Sequence, residues 1–202
     1  MTENLSTLLD EIRGCTHCAA HLPLGPRPVV RAAPTARLMI VGQAPGTRVH
    51  ESGIPFNDRS GDRLRDWLQM PPEIFYDETR VAIVPIGFCY PGVNPRGGDL
   101  PPRPECAPLW HPRLMPHLGE LQLTLLVGQY AQARYLGKRR ARNLTETVRA
   151  WADYLPDYLP LPHPSWRTAG WQKKNLWFDA ELLPELRRLI GDALAGATDV
   201  PG

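Results

Sequence analysis

An α/β protein is what this sequence predicts: a three-layer sandwich with a central four-stranded, mostly parallel sheet. Three observations carry that expectation. Short apolar runs that end in glycine, Leu38–Val41 before Gly42 and Leu123–Val127 before Gly128, read as buried parallel strands. Stretches with apolar residues at helical spacing alternate with them, which calls for helices on both faces of the sheet. The chain has 202 residues, 43% of them hydrophobic, which suits one domain with a full core.

The elements follow in chain order. Leu5, Leu8, Leu9 and Ile12 recur at helical spacing and predict a short first helix. Coil containing Pro and Arg runs from there to about Pro34, then Leu38–Val41 is the first strand. A polar loop continues to Ser60, read as the N-cap of a helix over residues 61–68. Residues 81–86 form the second strand, and the Pro- and Gly-rich loop behind it holds Cys89 and Cys106. The third strand, Leu123–Val127, is followed by helices over residues 130–136 and 143–151. Tyr158–Leu161 is the fourth strand and ends at His163-Pro164-Ser165. Over residues 175–194, Phe178, Leu182, Leu186, Leu189 and Ile190 share one helical face, with Pro184 as a kink. Trp110, Trp151, Trp171 and Trp177 are assigned to packing. The whole chain, 1–202, is read as one domain.

Composition narrows the class of function. No stretch approaches the about 20 apolar residues of a membrane span, and the acidic, amphipathic start is unlike a secretory signal. A monomeric, cytoplasmic protein is expected, with its four cysteines reduced, which favours metal ligation over disulfides. The net charge is only +2, so any nucleic-acid surface must be local. The densest basic run, Lys138, Arg139, Arg140 and Arg142, reads as a solvated linker.

Two features point to chemistry. In parallel sheets ligands bind beyond the C-terminal ends of the strands, and three unusual loops, residues 42–60, 87–106 and 163–171, stand there. The four cysteines also fall into two pairs, Cys15/Cys18 and Cys89/Cys106. A Cys-x2-Cys pair places two sulfurs on one metal or cluster, and the spacing accepts either zinc or an iron–sulfur cluster.

At Gly42-Gln43-Ala44-Pro45-Gly46, Gly53-Ile54-Pro55-Phe56 and His163-Pro164-Ser165, the chain resembles the uracil-DNA glycosylase superfamily. Its cysteine plan is similar to the iron–sulfur branch, the family 4 and 5 enzymes, and the resemblance runs from about Leu5 to Leu189. It implies a repair glycosylase that flips uracil or a related deaminated base out of DNA and hydrolyses its N-glycosidic bond. A structural 4Fe-4S cluster on Cys15, Cys18, Cys89 and Cys106 follows from it, with zinc as the alternative. Gly42 and Gln43 are implied at the sugar and base, Phe56 as the aromatic stacked on the flipped base, and His163 as the group facing it. Ser165, Trp166 and Arg167 are implied as the DNA wedge and phosphate contacts. Those residue types suit the chemistry: extrusion costs a few kcal/mol, which an aromatic platform and a wedge offset. A donor on the departing base then stabilises developing negative charge.

The sequence departs from the family pattern in two places. Gln43 stands where family 4 usually has Glu, and Ala44 where other branches have Asp or Asn. Asp58 and Glu51, in the same loop, are the candidate replacements. Pro85 stands where family 4 reads uracil with Asn, which leaves the amide of Gln43 to read the base. Slow excision is expected, and a damaged-DNA-binding protein with little catalysis is the competing reading.

Overall fold

Four strands pair in the order β2-β1-β3-β4, all parallel, in the computed structural model, which describes residues 3–95 and 97–196. They are β1 (Leu38–Val41), β2 (Val81–Ile83), β3 (Leu123–Val127) and β4 (Tyr158–Leu161). The register sets Leu38 beside both Val81 and Leu123, and Thr124 beside Tyr158. Alternate side chains leave β1 on opposite faces. Leu38 and Ile40 enter one apolar layer, Met39 and Val41 the other, so a strand with two covered faces must be apolar throughout.

Helices fill both layers. On one face α3 (Arg59–Leu68) contributes Leu64, Trp67 and Leu68, and α9 (Leu183–Ala195) contributes Leu186, Ile190 and Leu194. On the other, α1 (Leu5–Arg13) buries Leu5, Leu8, Leu9 and Ile12, α5 (Cys106–Leu114) buries Trp110 and Leu114, and α6 (Gln129–Leu136) buries Ala131 and Leu136. Shorter helices are α2 (Thr47–Ser52), α4 (Pro72–Phe75), α7 (Leu144–Arg149) and α8 (Thr168–Lys174). No helix among the described residues is long and apolar enough to cross a membrane. Both sheet edges are managed. Val29 and Arg31 hydrogen-bond along the outside of β2 through Phe88 and Ile83, and Pro160 sits in the edge strand β4.

The structure amends the sequence expectations at several points. Asp58, not Ser60, caps α3: its Oδ1 accepts the Gly61 N–H at 2.8 Å. β2 is shorter than residues 81–86, yet its backbone keeps pairing, since Val84, Ile86 and Gly87 donate to Ile40, Gly42 and Gln43. Pro184 lies in the first turn of α9, directly behind a wide π-type turn at Phe178–Leu182 that runs into the helix. The loop expected over residues 163–171 contains the start of α8, and Cys106 opens a helix rather than closing a loop.

Candidate active site

The chain order β1, β2, then across to β3 and β4 makes a topological switch between β1 and β3. A crevice is expected beyond the carboxyl ends of those strands. A pocket of about 550 Å³, counting its open mouth, lies there, and its walls include Gly42, Gln43, Phe56, Asp58, Asp99 and His163. Residues distant in sequence meet because every one follows the C-terminal end of a parallel strand.

Phe56 is held in an unusual way. Its backbone is left-handed at φ 54°, a conformation costly for an aromatic residue and concentrated at functional sites. Its carbonyl accepts from Arg65 Nη1 and the Tyr76 hydroxyl, each at 3.4 Å. A side chain on Gly61 would strike that carbonyl at 1.7 Å, so the first turn of α3 must carry glycine there. The ring is half-buried, edge-on to Phe75 at 6.0 Å. It also lies 3.0 Å from where a Gly42 Cβ would stand, so a side chain at Gly42 would push Phe56 aside.

His163 lies opposite, past the end of β4. Its ring packs on Gly128, and its carbonyl accepts the Ser165 N–H at 2.8 Å and the Thr168 hydroxyl. Burial lowers its pKa from the ordinary value, with the charge of Asp58 acting in the other direction, which favours the neutral imidazole. A neutral ring still carries one N–H to donate.

The DNA-facing candidates continue from there. Trp166 is 77% exposed, and the Arg167 guanidinium lies over its ring at 5.2 Å. Arg63 Nη1 donates to the Ser165 carbonyl at 2.5 Å and ties this turn to α3. Glu51 goes elsewhere: it is exposed on the last turn of α2, its carbonyl accepts from Arg27, and its side chain lines no part of the pocket. The basic run 138–142 also stays outside the pocket, with Arg142 paired to Glu146 at 2.8 Å.

All four cysteines line a second cavity, and none is in a disulfide. N–H groups face three of the sulfurs: the Phe88 amide donates to Cys106 Sγ at 3.3 Å, the Arg27 backbone faces Cys89 and the Arg103 side chain faces Cys18. Burial pushes the bare thiols up, Cys89 to about 11 and Cys106 to about 12. Among the described residues, no three His, Cys, Asp or Glu side chains close on a point that one metal ion could occupy. This cavity adjoins the pocket. Gly87 lines it, and a Cβ there would meet Pro102 at 2.9 Å and Ala44 at 3.5 Å.

Two pocket features were not found from the sequence. Asp99 follows a Gly-Gly pair, an ordinary turn signal, and only tertiary structure brings it to the pocket. Gly128 reads as a strand terminator, and its packing under His163 has no local signature.

A parallel α/β sandwich with a glycine-floored pocket at its switch point, an aromatic wall and a half-buried histidine defines a protein built to hold a small planar group. The family model of the uracil DNA glycosylase superfamily matches residues 30–187, and the chain belongs to that superfamily. Membership carries a DNA substrate and points to glycosylase activity on uracil-like bases.

Proposed function

We propose that this protein is a monofunctional DNA glycosylase of the iron–sulfur branch. It would draw uracil or a related deaminated base out of the stack and hydrolyse its N-glycosidic bond. The convergence of Gly42, Phe56, Asp58 and His163 on one pocket is the observation that carries this reading. Phe56 offers its ring to the extruded base, and Gly42 leaves room for that ring against the loop. As the C1′–N bond breaks, its electron pair leaves on the base. The N–H of His163 donates to a base oxygen and stabilises that anion, as an oxyanion hole would. Trp166 fills the space that the base vacates, and Arg167 and Ser165 meet the backbone.

The cysteine cavity supports a 4Fe-4S cluster held by Cys15, Cys18, Cys89 and Cys106. Four unpaired cysteines around one cavity suit such a group. Zinc draws its sulfurs in to about 2.3 Å. A cluster spreads its ligands more widely, and N–H donors to the sulfurs are the usual way a protein tunes one. Bound there it would be structural, pinning the Gly87 loop against Ala44.

Ala44 and Pro85 favour the second reading, damage binding without efficient catalysis, because neither offers a polar side chain. Oligonucleotides carrying single uracil, hypoxanthine, xanthine or oxidised-pyrimidine lesions decide between them. Release of a deaminated base, with His163→Ala about 100- to 1000-fold slower, is the expected result. Tight binding with no base released from any strand would make this a damage-binding protein.

A further inference from the structure

Resting on the glycosylase reading, we propose that Asp99 supplies the carboxylate missing from the Gly42–Gly46 loop, and that Gln43 is the positioning residue that holds it in place.

Asp99 stands on a hairpin that reaches over the pocket. It pairs antiparallel with Val93, the Gly97 N–H donates to the Asn94 carbonyl at 2.8 Å, and the Leu100 N–H donates to Gly92 at 2.8 Å. The hairpin is fastened to the pocket loop at one side-chain contact: Gln43 Nε2 donates to the Leu100 carbonyl at 3.3 Å. Gln43 thus spends an amide N–H on the residue after Asp99. Glu at position 43 would have no N–H to give. The departure from the family motif and the placement of Asp99 are therefore two sides of one arrangement.

Two carboxylates consequently face Gly46. Asp99 Oδ2 lies 3.5 Å, and Asp58 Oδ2 3.8 Å, from the point where a Gly46 Cβ would stand. Their environments differ. Asp58 has one oxygen committed to the Gly61 N–H, which fixes its orientation. No N–H donor to Asp99 competes for its lone pairs in the described contacts. Partial burial, and then the nearby charge of Asp58, raise its pKa above the ordinary carboxylate range. Asp99 is exposed at the pocket mouth, where solvent moderates the shift, and a DNA strand seated on that mouth would bury it further. Other charged or titratable groups facing it are His163 across the pocket and Arg167, whose guanidinium lies 3.6 Å from the Cβ positions of Gly97 and Gly98.

The roles divide accordingly. Asp58, held by its bond to the Gly61 N–H, is set against the cationic sugar. Asp99, whose Oδ2 faces Gly46 at the pocket and is not tied up in a helix cap, orients a water. The C1′–N bond breaks with its electron pair on the base, the water oxygen bonds to C1′, and the water proton passes to the Asp99 carboxylate. The base anion takes its proton from solvent after release.

Single-turnover excision of the best-cleaved deaminated base, measured from pH 4 to pH 9 in about one-unit steps, tests this assignment. Asp99→Asn is expected to slow the step about 100- to 10,000-fold and to remove the acid limb of the rate profile. Asp99→Glu should keep that limb. Gln43→Ala should slow all bases alike, and Gln43→Ala added to Asp99→Asn should slow nothing further. The thermal midpoint should be unchanged in Asp99→Asn, because Asp99 lies on an exposed hairpin, and binding of the same strand should not weaken. A wild-type rate in Asp99→Asn would overturn the assignment while leaving the glycosylase reading standing. A change of preferred base in Gln43→Ala would overturn the positioning role. No release from any lesion by the unsubstituted protein would sink both the reading and the proposal.

Discussion

Gly128 and His163 are in direct contact: a Cβ built on Gly128, whose φ is +88°, would stand 3.3 Å from the Cβ of His163. The glycine ending β3 therefore sets the depth of the histidine that follows β4. Gly128→Ala should cost about 1 kcal/mol or more in stability, because alanine is strained at that φ. It should also lower excision about tenfold by displacing the imidazole, a misplacement effect of the kind expected for a preorganised site. An unchanged single-turnover rate would show that His163 tolerates the shift.

Asp58 has a structural duty and a chemical one, and two substitutions separate them. Asp58→Asn keeps an oxygen for the Gly61 N–H and should leave the thermal midpoint nearly unchanged, since Asn caps as well as Asp. Asp58→Ala should lose about 1 kcal/mol of stability. Both should slow excision, because both remove the anion from the pocket. Equal rates in Asp58→Asn and the unsubstituted protein would reduce Asp58 to a helix cap.

Trp166 projects from the turn before α8 with most of its surface free. Trp166→Ala should weaken binding to damaged duplex more than to the same lesion in single strand, since only the duplex has a gap to fill. Arg167→Ala should instead flatten the salt dependence of binding by about one phosphate contact. Equal losses on both substrates for Trp166→Ala would exclude a wedge.

Protein purified without oxygen should be brown and carry iron. Cys89→Ala should lose the colour and unfold at lower temperature, because a site of this kind contributes folding energy. Stoichiometric zinc without iron would replace the cluster by a single-metal site.

His111 gives an acid-stability signature. It is buried between the Pro85 carbonyl (3.0 Å) and the Tyr135 hydroxyl (2.8 Å), and stacks on Phe88. Burial lowers its pKa from 6.5 to about 4. The unfolded chain therefore binds a proton that the folded one does not between those values. Stability should be complete above about pH 6.5 and fall as pH drops towards 4, by roughly 3 kcal/mol in all. Chemical denaturation at pH 7 and pH 4.5 measures it. His111→Gln, which does not titrate, should show a shallower loss over that window, and an identical loss would assign the acid sensitivity to other groups.

The sheet was legible in the sequence because its cause is local. A parallel strand covered on both faces must be apolar at consecutive positions, so Leu38–Val41, Leu123–Val127 and Tyr158–Leu161 appear as runs that coincide with β1, β3 and β4. The side of the sheet that carries the pocket was also legible, since parallel strands send their following loops to one edge. Other choices depended on packing. Asp58 and Ser60 are both good caps two residues apart, and the close seat of Phe56 on Gly61 selects Asp58. Cys106–Leu114 holds two prolines and carries no helix signal in the sequence, yet it is helical because Trp110, His111 and Leu114 gain burial that propensity does not count. Asp99 is the clearest case. Nothing within its own Gly-Gly-Asp turn marks it, and it reaches the pocket because Gln43, 57 residues from Leu100, donates to that hairpin. Periodicity records which face a residue turns to the core. The meeting of two loops is set by side-chain hydrogen bonds between distant segments, which the tertiary structure alone decides.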